Sequence, residues 1–248
     1  MATQKKLKVI LIRHTLSPEE TTALAAKLCY SKSTIEELSE KVSRNDQNAF
    51  IEKIMKMGHE SVLEHSSFTF GIEGVSRVLL AQLTRHRIAS FSVQSQRYVS
   101  YENGFGYIVP ESIIALGEEE VARFHQQMET IETWYKDWQK KLGTGEKSNE
   151  DARFVLPNAC ETRVLLTMNV RELLHFFSLR MCNRAQWEIR NMAEQMFLIC
   201  LETAPSLFKF AGPSCLRGAC HEGEKGCGRA QQIREDRKNL LNKMTEEA

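Results

Sequence analysis

An α+β fold, a single domain with a short C-terminal tail, is what this 248-residue sequence predicts. Three observations carry that expectation. Strand-like and helix-like periodicities are interleaved without strict alternation, which disfavours a doubly wound parallel sheet. Apolar residues make up 42% of the chain, enough to bury a sizeable core. No internal repeat or Gly/Ser linker divides the body, taken as 1–212, from a Cys-containing polar tail, 213–248.

Taken in order, "LKVILI" (7–12) reads as a buried strand. Ser17 as N-cap, Pro18 at the first helical position and an acidic first turn then open a helix. In "STIEELSEKVSRNDQNAFIEKIMKMGHE", apolar residues at three- and four-residue steps predict two helices broken near Asn45-Asp46. "SSFTFGIE" alternates as a strand. Val75, Val78, Leu79 and Leu83 form the stripe of a helix running into Arg85. "GYIVP" is a short strand, 118–142 a long charged helix, and 143–151 a surface loop. "ETRVLLTMNV" alternates again. Asn169 with Glu172 three residues on then caps the helix "VRELLHFFSLRMC". A last core helix is expected over 186–209, and the polar end "RAQQIREDRKNLLNKMTEE" as a solvated or partly disordered helix.

Composition excludes several functions. The 33 basic residues are balanced by 32 acidic ones, which argues against a long polyanionic partner or a membrane surface. The opening has only Val9 to Leu11 as an apolar run, and no stretch reaches membrane-spanning length, so a cytoplasmic protein is expected. Seven cysteines read as reduced thiols. Neither G-x-G-x-x-G nor G-x-x-x-x-G-K-[ST] occurs, so a phosphorylated ligand must be held by side chains. "GHESVLEH" is not H-E-x-x-H and lacks a distant third ligand, and no local signature marks a Cys-His nucleophile.

Against that neutral background, "TRHRIASFSVQSQRYVSY" (84–101) gathers Arg85, His86, Arg87 and Arg97 with no acid between Glu73 and Glu102. Cations at a helix C-terminus explain the first three. An extended chain from Phe91 would put Phe91, Val93, Ser95, Arg97, Val99 and Tyr101 on one face, burying a guanidinium that needs a carboxylate or a bound anion. The absence of nearby acids leans towards the anion, and a distant acid is the alternative. Leu173, Phe177, Arg180, Arg184 and Trp187 likewise extend an apolar helical stripe with two arginines, for which a core-edge salt bridge is the plain explanation. Two such places raise the case for a phosphorylated ligand.

Arg85-His86-Arg87, seven residues and Ser95, followed by Arg97 and Tyr98, resembles the signature of the flavin-dependent thymidylate synthases. "AAKLCYS", "GHESVLEH", "NVRELLHFFSLR" and "AQWEIR" extend the likeness across most of residues 20–212. The resemblance implies a mixed β-sheet flanked by helices, assembled as a homotetramer, and methylation of dUMP to dTMP, with methylenetetrahydrofolate giving the carbon, NADPH the reducing equivalents and FAD relaying hydride. It implies that His59, Ser61, Arg85, His86, Arg87, Asn169, Arg171 and His175 hold FAD. Gln82, Arg85, Ser95, Gln96, Arg97, Arg153 and Arg180 would bind dUMP, with Arg180 catalytic beside the uracil, where a cation stabilises charge developing at N3 and O2. Ser95 reads as a ligand contact because no base is evident beside it. Val93 and Gln94 stand where the family often has an acidic or amide residue followed by Leu, and His175 where some members have Asn.

Cys215, Cys220, His221 and Cys227 fit no common C-x-x-C ribbon, so reduced thiols are expected there rather than a metal. The rival reading is a nucleic-acid binder whose arginines meet phosphates while Phe91, Tyr98 and Tyr101 stack on bases. Near-zero net charge speaks against it.

Overall fold

The computed structural model describes residues 1–143 and 145–246. In chain order the elements are β1 (Thr3–Gln4), β2 (Lys8–His14), α1 (Pro18–Leu28), α2 (Ile35–Ser43), α3 (Asn48–Lys56), β3 (Ser67–Ser76), α4 (Arg77–Leu83) and β4 (Ser90–Val93). They continue with β5 (Gly106–Tyr107), α5 (Glu111–Ile114), α6 (Glu118–Leu142), α7 (Glu146–Ala152), β6 (Glu161–Asn169), α8 (Val170–Arg180), α9 (Trp187–Thr203), α10 (Pro205–Phe208) and α11 (Ala230–Glu246). A four-stranded sheet has the order β2-β3-β6-β4, and β1 pairs in parallel with β5. Helix and sheet are mixed, as the sequence predicts.

Two compact units arise, Met1–Ile10 with Phe70–Leu166, and Leu11–Thr69 with Thr167–Ala248. The first is built around Tyr101, Phe105, Tyr107, Val109, Met128, Tyr135, Ala152 and Cys160. Its rings meet edge-on, Tyr101 with Tyr135 at 6.0 Å between centroids and Phe105 with Tyr107 at 6.3 Å, the arrangement ring quadrupoles favour. Helix α6 turns Met128, Glu132 and Tyr135 inward at four- and three-residue steps. The buried Glu132 carboxylate is satisfied by Lys136 Nζ at 2.5 Å and by the backbone N–H of Ala2, and together these hold it below its usual range despite the opposing effect of burial.

In the second unit Phe177 packs edge-on against Phe197 at 5.9 Å and Phe208 at 6.1 Å, and Phe68 against Phe208 at 5.4 Å. Local chemistry sets its helix starts. Thr34 and Glu37 form a reciprocal capping box on α2, and Asn169 Oδ1 accepts from the Glu172 N–H at 2.9 Å to start α8. The tail is fixed by arginines on α11: Arg234 donates to the carbonyls of Cys215 and Gly218, both at 2.7 Å, and Arg237 to that of Lys209 while lying 4.0 Å over the Phe197 ring.

Gly74 lies in β3 at φ 69, and a Cβ there would stand 1.9 Å from the Lys6 carbonyl oxygen. Gly74→Ala combines a left-handed backbone with a clash that only main-chain movement relieves. We expect a loss of about 2–5 kcal/mol, read as a lowered urea midpoint. A midpoint equal to that of the parent would mean that β3 tolerates a side chain here.

Several expectations need correction. Residues 146–151 of the expected loop fall in helix α7, with Ser148 and Asn149 buried; Thr144 lies outside the described residues. The single helix over 186–209 is two, because Pro205 has no N–H to continue α9. Val75 belongs to β3, and α4 begins only at Arg77. Strand "LKVILI" is a sheet edge rather than buried, with Ile10 and Ile12 at 37% and 40% exposure. Of "GYIVP" only Gly106 and Tyr107 pair as a strand. Ser17 precedes α1 as predicted but at φ 45 and without a side-chain cap.

Candidate active site

The R-H-R motif sits where α4 stops. Arg85 and His86 close the last turn through backbone bonds to Gln82 and Leu83, placing the cations at the negative end of the helix dipole. His86 is 5% exposed, so its ring belongs to the fold's interior, whereas Arg85 and Arg87 are exposed. Neither of these arginines has a side-chain partner among the described residues, and two exposed guanidiniums on either side of one residue suit an anion.

The expected extended face from Phe91 to Tyr101 ends early. Strand β4 covers Ser90–Val93, after which the Val99 N–H turns back to the Ser95 carbonyl at 3.1 Å. Ser95 Oγ accepts the Arg97 N–H at 3.2 Å. That is its one hydrogen bond among the described residues, so no base activates it as a nucleophile. Gln96 is buried and donates to Cys160 Sγ at 3.4 Å. Burial pushes the Cys160 thiol up to about 12, which removes it as a nucleophile.

Arg97 is therefore not a buried orphan. Its side chain keeps 40% of its exposure, and its Nε donates to Glu146 Oε1 at 2.8 Å, with Nη2 on the same oxygen and Glu150 Oε2 at 3.8 Å. The Glu146 hydrogen bond and charge raise the guanidinium's pKa. Of the two alternatives the sequence offers, the distant acid is present, supplied by the helix that was expected to be a loop. Arg153 meets the same helix, its Nε donating to the Glu150 carbonyl at 3.1 Å. Helix α7 thus pairs with Arg97 through Glu146 in its first turn and carries Arg153 as its C-cap. Glu146, Asn149 and Glu150 were not anticipated, and nothing local in the sequence marks them.

The second unit gathers another set. Arg171 on α8 donates to Glu64 Oε1 at 2.5 Å and stands 3.6 Å from Glu60, which joins the 3-10 turn Glu60–His65, preceded by His59, to the start of α8. His59, Ser61, Arg171 and His175 are all exposed. Asn169 Oδ1 accepts the helix-cap bond, which leaves its amide nitrogen to donate to a ligand. Imidazole, hydroxyl, amide and guanidinium donors on one exposed patch have the chemistry to hold a pyrophosphate and the polar edge of a flavin. Arg180, half-buried, closes α8. Arg184 does not continue its stripe, because the helix has ended; it pairs with Glu222 at 2.9 Å and donates to the Lys225 carbonyl at 2.9 Å.

Cys182 lies near the tail cysteines. The Cys215 thiol is raised by burial and by its neighbours Cys220, Cys182 and Cys227. Among the described residues no three His, Cys, Asp or Glu side chains are placed to share a metal ion, and no helix is long and apolar enough to cross a membrane. Tyr101, one of three rings offered for base stacking, is 8% exposed with its hydroxyl pushed up to about 12 by burial, so it cannot stack on a base.

A family model described as "Thymidylate synthase complementing protein" matches residues 10–206. The chain is 51% identical over 229 residues to the flavin-dependent thymidylate synthase of Geobacter sulfurreducens, covering 92% of this chain and 97% of that one. It is 46% identical over 239 residues to the protein of the same name from Clostridium tetani, covering 92% and 96%. Among solved structures, a UMP/dUMP methylase, PolB from Streptomyces cacaoi bound with 5-Br dUMP, matches with a TM-score of 0.68 at 23% identity over 84% of this chain and 95% of that one, a likeness of fold.

Proposed function

The chain belongs to the flavin-dependent thymidylate synthase family, and from that premise we propose that it methylates dUMP to dTMP, with methylenetetrahydrofolate as carbon donor and NADPH as reductant. The observation that carries the reading is that Arg97, downstream of the R-H-R motif, is tied by Glu146 and Asn149 to the helix whose C-cap is Arg153. Planar donors in pairs match a nucleotide 5′-phosphate, and a chain without a glycine-rich phosphate loop has to use them.

When bound, FAD supplies the hydride chemistry. Arg85, His86, Arg87, His59, Ser61, Asn169, Arg171 and His175 would hold it, with His86 buried in the turn between its two arginine neighbours. Gln82, Ser95 and Gln96 position the nucleotide, and Arg180 faces the uracil, where its charge stabilises negative charge developing at N3 and O2. Ser95, bonded to a backbone N–H, positions rather than attacks. The active form is a cytoplasmic homotetramer whose sites draw on more than one subunit.

Calorimetric titration with dUMP tests the nucleotide site. Arg97→Ala is expected to weaken dUMP by roughly ten- to a hundred-fold, the size of charge-assisted bonds to a phosphate, with flavin binding, followed by absorbance, little changed. Arg97→Lys should recover only part, since an ammonium lacks the fork. An unchanged dissociation constant removes Arg97 from the nucleotide site.

A further inference from the structure

We propose that Glu146 is a place-holder for the substrate's 5′-phosphate: its carboxylate occupies Arg97 until a dianionic nucleotide displaces it, and so sets how much affinity the phosphate contributes. This rests on the assignment of Arg97 to the nucleotide site.

The contact has the form of the one it would give way to. Both Nε and Nη2 of Arg97 converge on Glu146 Oε1, so one edge of the guanidinium is engaged by a single anionic oxygen. That edge is the one a phosphate takes. A second carboxylate, Glu150, stands 3.8 Å from Nε. The pair is also open to exchange, since the two side chains keep 40% and 44% of their exposure, and an ion pair so exposed to water is weak.

What surrounds the pair is fixed. Asn149, buried on the same helix, donates to the Arg97 carbonyl at 3.2 Å and accepts from Gln139 Nε2 at 2.6 Å. These bonds tie Arg97's main chain to α7 while leaving both charged side chains able to swing. The guanidinium also rests 5.1 Å over the Tyr98 ring, which keeps it extended after the carboxylate leaves. Arg97 is therefore pre-aimed by neutral contacts and screened by an acidic one. The exchange trades a single negative charge for a double one, so a phosphate dianion wins where a neutral ligand has nothing to offer. Unphosphorylated deoxyuridine leaves Glu146 in place.

Calorimetry on the flavin-loaded protein decides, with Glu146→Gln as the main variant because it keeps shape and removes charge, and Glu146→Ala as a second that also removes the amide. Glu146→Gln is expected to tighten dUMP by about two- to five-fold, the scale of a half-exposed ion pair. Deoxyuridine should be unaffected, and the gain should shrink as salt rises and screens the pair. Adding Arg97→Ala should abolish the gain. If Glu146→Gln and Glu146→Ala leave dUMP affinity unchanged or weaker while Arg97→Ala weakens it, the place-holder fails and the nucleotide assignment stands. If Arg97→Ala is also without effect, the assignment itself falls. A gain equal for deoxyuridine would overturn the link to phosphate.

Discussion

Arg180→Ala is expected to lower the rate of dTMP formation by roughly two to three orders of magnitude, the cost of removing one donor aimed at developing charge. The residue is suited to that task by its place. It is the last residue of α8, three and seven positions after the buried Phe177 and Leu173, so the apolar face that anchors the helix also aims the guanidinium. Held half-buried, it would act, in the role we propose, where water is thinned and a charge is worth more than at the surface. The loss should appear in single-turnover rates at saturating dUMP more than in dUMP affinity, because the ring is neutral before it is activated. Arg180→Lys keeps the charge without the planar pair of donors and should retain an intermediate rate. A rate equal to that of the parent, with intact flavin binding, would move Arg180 away from the uracil.

Local chemistry was legible in the sequence; long-range pairing was not. Asn169 and Glu172 are three residues apart, so the cap that starts α8 is written into the spacing. The break between α2 and α3 follows from a polar interruption of an apolar stripe, and helix α6 runs over 118–142 as its composition predicts. Helix α7 was missed because Gly143 and Gly145 with a polar run read as loop, whereas its stability comes from tertiary bonds of Asn149 to Arg97 and Gln139. The partner of Arg97 was invisible for the same reason, being 49 positions away. Arg184 was assigned by extending a period past Met181, where the helix has already capped. Periodicity shows which residues share a face, and says nothing of where the face ends or what covers it. In the candidate site the acids that hold two of the arginines, Glu64 and Glu146, were not legible as their partners.

Trans-complementation is expected to restore activity between two variants that are each inactive. Arg97 lies in the unit formed by Met1–Ile10 and Phe70–Leu166, and Arg180 in the other. If, as we propose, a working site takes its phosphate-binding arginine from one subunit and its uracil-facing arginine from another, an Arg97→Ala chain beside an Arg180→Ala chain forms one site carrying both lesions and one carrying neither. Symmetry fixes the yield at up to about half of the parental activity per hybrid pair. Co-expressed, separately tagged and doubly purified hybrids would be assayed for dTMP, with the tetramer confirmed by light scattering. Mixing the purified variants without subunit exchange should restore nothing, which separates shared sites from residual activity. Hybrids formed in good yield but inactive would mean that both arginines serve the same site from one chain, and oligomerisation would then have no part in assembling it.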